Sequence, residues 1–336
     1  MRNCLLVVVL FCLSVSPAFS RNLEIFFIDV EGGQSTLIVT PSRQSLLVDT
    51  GWPDFSGRDA DRIVAAAKKA GVKRIDYLII THHHADHVGG VPNLVERMPV
   101  GTFVDHGPTV ETGKQAKSLY EAYLKAIGSS QHMVVKPGDK IPLKGVDVVI
   151  VEAGGEHITT ALPGAGQPNP YCASVQPRAN DSSENAQSTG FVLTYGKFRF
   201  VDLGDLTWNK EMNLVCPNNL IGKVDVYLTT HHGMNLSNNP AIVDALHPRV
   251  AIMNNGAKKG GSVEAWTTVK NSPGLEDLWQ LHFAVAGGKD HNVPDSFIAN
   301  VDENCQGKYI SLSATPDGGF VVTNSRNKYT KVYAPK

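Results

Sequence analysis

Apolar and polar positions along this chain fall into a grammar that is used twice. Residues 23–30 read as a strand. A second run, 35–40, turns through Pro41-Ser42-Arg43-Gln44 into a third, 45–48, and stops at Asp49-Thr50-Gly51. A helix should follow, with Asp59 as its cap, Ile63, Val64 and Ala67 on one face, and Gly71 at its end. An apolar strand, 75–80, then runs into Thr81-His82-His83-His84-Ala85-Asp86-His87. In the second half, residues 191–194 turn at Tyr195-Gly196-Lys197 into 198–201 and reach Asp202-Leu203-Gly204-Asp205. A polar, partly helical stretch follows, then an apolar strand, 224–228, that ends in Thr229-Thr230-His231-His232-Gly233.

The order hairpin, Asp, helix, strand, Thr-His-His thus occurs twice, a weak internal repeat that predicts two similar α/β halves packed sheet against sheet. Both copies set acid and imidazole at strand ends, where α/β proteins usually build sites. Elsewhere, 114–127 reads as an amphipathic helix, and 133–135, 146–152 and 249–253 as strands. Residues 309–312 and 320–323 should form a C-terminal hairpin around Asp317-Gly318-Gly319. The stretch 153–188, rich in Gly, Pro, Asn, Ser and Gln, reads as a long excursion near the site rather than a linker.

Composition narrows the class. With 336 residues, 42% apolar and 19% charged, the chain is too apolar to be disordered, and its 31 Gly and 19 Pro follow no collagen period. The 31 basic and 32 acidic side chains argue against a binder that relies on neutralising phosphates. Met1-Arg2-Asn3, an apolar run over 4–15, and Pro17-Ala18-Phe19-Ser20 predict a secretory signal over residues 1–20, cleaved near Arg21. Its removal takes one Arg and no acid, leaving a net charge of 30 − 32 = −2, and the product is expected to be secreted or periplasmic. No later apolar run is long enough to span a bilayer. Cys4 and Cys12 would leave with the signal, so Cys172, Cys216 and Cys305 permit at most one disulfide, of unassigned pairing.

Half of the 12 histidines lie in His82, His83, His84, His87, His231 and His232. His82, His84, Asp86 and His87 spell H-x-H-x-D-H after a buried strand. Alternate residues of an extended chain share a face, so His82 and His84 can converge on one ion, and the turn after them can swing Asp86 and His87 toward a second. Imidazole and carboxylate suit zinc, and also manganese or iron. His106, His132, His247, His282 and His291 stand alone and read as surface or satisfied core residues.

Thr81-His82-His83-His84-Ala85-Asp86-His87-Val88-Gly89-Gly90 resembles the signature of the metallo-β-lactamase superfamily. Asp29-Val30 with Gly33, and Leu47-Val48-Asp49-Thr50-Gly51, resemble that family's opening hairpin. Leu203-Gly204-Asp205 resembles its metal-bridging aspartate, and Thr230-His231-His232-Gly233 its last histidine. The His-His-Gly ending is most similar to the extracellular domain of ComEC-type DNA-uptake proteins and to phosphorylcholine esterase. The resemblance implies a four-layer αβ/βα sandwich over residues 21–336 with two divalent metals, zinc or alternatively manganese, at the sheet edges. His82 and His84 would hold the first ion; Asp86, His87 and His231 the second; Asp205 would bridge them. His231 is preferred to His232 because family members usually place this ligand directly after the strand, which leaves His232 to touch substrate or steady the transition state. Asp86 would also accept a proton. Asp49 either orients the first loop or is a plain turn-forming residue. One departure is clear: about 20 residues before the bridging Asp the family has a further histidine, where this chain has Asn185. Asn185 could ligate weakly through its carbonyl, the site could be short of a ligand, or His157 could fold in as a replacement.

The expected function is hydrolysis by a metal-activated water. The substrate would be a phosphodiester, in nucleic acid or a phosphorylated envelope component, with the charge balance giving no support for nucleic acid. Lactonase or β-lactamase activity is a second reading, and a non-catalytic binding module a third. The glycines at 154–155 and 164–166 are not followed by helix signals and read weakly as phosphate loops. Lys258-Lys259 reads as a solvated turn, with contact to an anionic substrate as the alternative.

Overall fold

In the computed structural model, which describes residues 21–336, the two repeated units form the centres of two facing sheets. The expected signal segment lies outside the described residues. The first sheet has nine strands. In spatial order they are Thr330–Tyr333, Phe320–Asn324, Ile310–Ala314, Leu23–Phe27, Thr36–Val39, Ser45–Val48, Ile75–Ile79, Val100–Asp105 and Gln131–Val134. The second sheet runs Ile298–Asn300, Asp277–His282, Val250–Met253, Val226–Leu228, Phe198–Asp202, Gly190–Tyr195, Asp147–Ala153 and Lys140–Ile141, with Glu156–His157 paired beside Asp147–Ala153. The C-terminal hairpin joins the first sheet next to Leu23–Phe27, so the chain's last strands complete the half that its first strands begin.

The layers follow from the two-residue period of the strands. Ile25, Ile38, Leu46 and Val48 point inward and meet Phe191, Leu193, Phe200, Val226 and Ile252 of the other sheet. Phe26, Leu37, Leu47 and Leu78 point outward, under Ile63 and Ala67 of helix Arg58–Lys69 and Tyr123 of helix Lys114–Ile127. Helices Trp208–Val215, Pro240–Leu246 and Val263–Lys270 cover the second sheet in the same way. The result is the αβ/βα sandwich. Each inward Leu, Ile or Phe contributes about 1.5–3 kcal/mol by leaving water.

One expected cap is replaced. The helix Arg58–Lys69 starts from Gly57 in the left-handed region, and Asp59 lies inside its first turn. The Asp59 carboxylate instead accepts from the Trp52 backbone N–H at 2.9 Å and from Arg58 Nε at 2.7 Å, which ties the loop after Asp49 to the helix. The excursion after residue 153 is pinned rather than loose: Cys172 and Cys216 form a disulfide, and Asn169 Nδ2 donates to the Val215 and Ala241 carbonyls. Cys305 stays free.

Strand Ser45–Val48 pairs parallel with Ile75–Ile79, and Phe198–Asp202 pairs parallel with Val226–Leu228. Parallel strands end at a common edge, which is where open α/β sheets collect functional groups. Both Thr-His-His runs leave their sheets at such an edge.

Candidate metal centre

Strand Ile75–Ile79 hands over to irregular backbone at residues 80–84, with His84 extended, and the helical turn Ala85–Val88 follows at once. That change of period brings the first motif together. His82 Nε2 and His84 Nδ1 face each other at 3.0 Å, while Asp86 Oδ2 and His87 Nε2 lie 3.1 Å apart on the turn. His84 Nε2 donates outward to Glu111 Oε1 at 3.0 Å, so its Nδ1 presents a lone pair to His82. His87 Nδ1 donates to Asp49 Oδ2 at 2.7 Å, so it is Nε2 that faces the site.

The second half supplies the opposing groups. Gly204, at φ +56°, makes the turn between Asp202 and Asp205, and an added Cβ would stand 2.8 Å from Thr81 Cβ. Asp205 is thereby set among the histidines. Its Oδ2 lies 3.3 Å from His87 Nε2, 3.3 Å from His231 Nε2 and 4.0 Å from His82 Nε2; its Oδ1 lies 3.4 Å from His232 Nε2. His232 Nε2 also reaches Asp86 Oδ2 at 3.2 Å and His87 Nε2 at 3.3 Å. Asp86, His87, Asp205 and His232 therefore form one tight, buried group of potential ligand atoms.

Here the structure differs from the expected order of the last two histidines. Strand Val226–Leu228 does not continue to residue 231; Thr230–Gly233 is a tight turn with both His231 and His232 at φ +55°. Left-handed backbone at two consecutive non-glycine residues is strained, and it turns the second ring inward toward Asp86. His231 remains on the Asp205 side, with Ser237 Oγ 3.3 Å from its Nδ1.

Burial sets the electrostatics. The buried His82 ring is held well below the ordinary imidazole value by desolvation and by His87. Burial opposes charge on His87 too, yet the Asp205, Asp86 and Asp49 carboxylates raise it well above that value. Burial likewise works against the Asp205 carboxylate, and His231, His232 and His87 outweigh it, holding it well below the usual range. The residues fit divalent cations. Asp205 Oδ1 and Asn185 Oδ1 are both buried without a hydrogen-bond partner, and imidazole with carboxylate is the donor set of zinc and manganese. His157 lies on the short strand beside Glu152 and does not join this group.

Three surrounding features carry little signal in the sequence. Glu184 is fully buried and accepts four bonds: from the His83 N–H, His106 Nε2, Thr109 Oγ1 and the Val110 N–H, at 2.9–3.0 Å. It fastens residues 106–110 to the first motif and stands beside Asn185. Lys259 bonds Asp86 Oδ2 and lies 5.1 Å from the centre of the Trp52 ring, so it is part of the site rather than a solvated turn. Gln34 Nε2 donates to both Asp202 oxygens at 3.1 Å and Gln34 Oε1 accepts from Asn254, a buried strap between the halves. A cavity of about 380 Å³ opens beside His84, Asp86 and Glu111. A cavity of about 530 Å³ lies among Pro168, Arg199 and His247, and none of its lining residues belongs to the site.

The chain is similar to several known proteins. The model of the metallo-β-lactamase superfamily matches residues 28–178. ComE operon protein 3 of Bacillus subtilis (strain 168) is 26% identical over 264 residues, which cover 74% of this chain and 30% of that protein. The chain thus spans under a third of that relative's length. Hydroxyacylglutathione hydrolase of Xylella fastidiosa (strain M12) is 37% identical over 62 residues, covering 18% of this chain and 20% of that one. The crystal structure of the metallo-β-lactamase fold protein YhfI from Bacillus subtilis superposes at a TM-score of 0.46 with 12% identity, covering 77% of this chain and 96% of that one. Residues 28–178 thus match the metallo-β-lactamase superfamily, and the two-sheet sandwich with its clustered histidines and aspartates is consistent with that family.

Proposed function

We propose that this protein is a binuclear metal-dependent phosphodiesterase. In this reading residues 1–20 are a cleaved export signal, residues 21–336 form one hydrolase domain, and the enzyme works outside the cytoplasm. Its substrate is a phosphodiester in a phosphorylated envelope component or in nucleic acid. The observation that carries the reading is Asp205, whose two carboxylate oxygens each face imidazole nitrogens, Oδ2 toward His82, His87 and His231 and Oδ1 toward His232. One carboxylate between two sets of nitrogens is the arrangement a shared ligand needs.

In this assignment His82, His84 and Asp205 hold one ion, with Asn185 Oδ1 completing it. Asp86, His87, His232 and Asp205 hold the other. Zinc is the favoured metal and manganese the alternative. Bound there, two divalent ions supply a water whose pKa falls to about 7. The chain's own groups do the rest. Asp86 takes up the proton released on attack, and His231 stands by Asp205 where it can contact substrate. Lys259 contributes the positive charge that an anionic diester requires beyond the metals, in a chain whose overall balance is near neutral.

The test is hydrolysis by the metal-loaded chain of bis-p-nitrophenyl phosphate, nitrocefin and a simple lactone. Turnover of the phosphodiester supports the reading. Opening of nitrocefin or the lactone with the phosphodiester left intact overturns it in favour of a lactonase or β-lactamase.

A further inference from the structure

A second group of metal-ligating side chains lies outside the centre described above. Asp29 follows the first strand, His282 closes strand Asp277–His282, and Cys305 sits in the loop between Ile298–Asn300 and Ile310–Ala314. Segments of both sheets therefore meet there. His282 Nε2 is 2.8 Å from Asp29 Oδ1, Cys305 Sγ is 3.1 Å from Asp29 Oδ2, and Sγ is 3.7 Å from His282 Nε2. With Zn–S near 2.3 Å and Zn–N and Zn–O near 2.0–2.2 Å, a tetrahedral site has ligand–ligand edges of about 3.3–3.6 Å. The three observed edges bracket that range.

We infer that Asp29, His282 and Cys305 form a further transition-metal site, selective for zinc or another thiophilic divalent ion and separate from the Asp205 centre. A hydrogen-bonded cluster alone is the competing account, and two observations favour ligation. A thiol is a weak donor, yet this one is set against a carboxylate and an imidazole at once. The His282 side chain is 1% exposed and its Nδ1 has no partner, so Nε2 is the ring atom that faces Asp29 and Cys305. His282 also borders a cavity of about 230 Å³ lined by Glu31, Lys258 and Lys259, which gives solvent a way to that side of the group.

Arg62 is the cation already present. Its NH1 donates to Asp29 Oδ2 at 3.2 Å and its NH2 to Glu31 Oε1 at 2.8 Å, and it stands 3.6 Å from Cys305 Sγ. It holds Oδ2, while Oδ1 accepts from the Glu31 N–H at 2.9 Å and faces His282, and its charge offsets that of a thiolate. Binding exchanges the thiol proton for the metal–sulfur bond, and that proton leaves to solvent through the cavity; no oxidation is involved.

The experiment is a cobalt(II) titration of the full chain, read by near-ultraviolet thiolate-to-cobalt absorption. The Asp205 centre contains no sulfur, and Cys172 and Cys216 are joined in a disulfide. The expected result is a charge-transfer band in the wild type that disappears in Cys305→Ser, with one ion fewer per chain and hydrolytic activity retained. His282→Gln should also lose the band, which covers the case in which Cys305→Ser fails to fold. Absence of the band in the wild type overturns the inference, as does its persistence in folded Cys305→Ser.

Discussion

His87 Nδ1 stands 2.7 Å from Asp49 Oδ2, with both side chains fully buried. The same carboxylate accepts from the Thr81 N–H at 2.8 Å and from Thr81 Oγ1 at 2.7 Å, so one residue fixes both the start of the histidine motif and the orientation of its last ring. Such an outer carboxylate sets which imidazole nitrogen faces the metal. Asp49→Asn should therefore weaken metal binding by about 10–100-fold while the chain stays folded. Metal titration followed by circular dichroism checks both parts.

The two adjacent histidines should separate by variant. His232 Nε2 contacts both Asp86 and Asp205, whereas His231 contacts Asp205 alone of these. His232→Ala is expected to lose an ion per chain. His231→Ala should keep its metal and lose activity. Metal content and turnover measured on the same preparations decide it; the reverse pattern would make His231 the ligand.

Glu184 predicts a specific acid sensitivity. Burial opposes its charge, but the bond and charge of His106 and the N–H groups of Val110 and His83 bring its carboxyl down to about 2. A depressed carboxyl stabilises the fold above its unfolded value near 4.5, and that contribution disappears as pH falls from there toward 2. The shift corresponds to about 3 kcal/mol. Glu184→Gln should be less stable than the wild type at pH 7 by about that amount, with the gap narrowing by pH 3, as read by urea unfolding at both pH values.

Glu152 predicts the opposite trend. Both of its oxygens are buried without partners, and desolvation pushes its carboxyl up to about 9 against the pull of Lys210. The group is neutral in the fold, so stability is lost as pH rises from its unfolded value near 4.5 toward 9. Glu152→Gln should remove that slope. Thermal melts between pH 5 and 9 should show the variant gaining on the wild type steadily with pH.

The repeat was legible because both halves obey the same periodicity, and helix Lys114–Ile127 has the bounds its pattern predicts, with Tyr123 and Ile127 buried and Leu124 exposed. His82, His84, Asp86, His87 and Asp205 were legible because they are close in sequence to strand ends. What was not legible depends on backbone turns or on distant pairing. The left-handed turn at His231 and His232 decides which ring faces Asp86, and no periodicity encodes it. Asp59 reads as a cap by residue type, yet its carboxylate is claimed by the Trp52 N–H. Glu184, His106, Lys259 and the group of Asp29, His282 and Cys305 are single residues with partners as far as 276 positions away, a relation that only the folded sandwich creates.

The central claim is a pair of divalent ions sharing Asp205 and cleaving phosphodiesters. It is tested most directly by measuring metal content and bis-p-nitrophenyl phosphate hydrolysis on the wild type and Asp205→Ala together. Metal bound at the Asp205 centre in the wild type, with both metal and turnover lost in Asp205→Ala, is the predicted result. Full metal content and undiminished turnover in Asp205→Ala would contradict it.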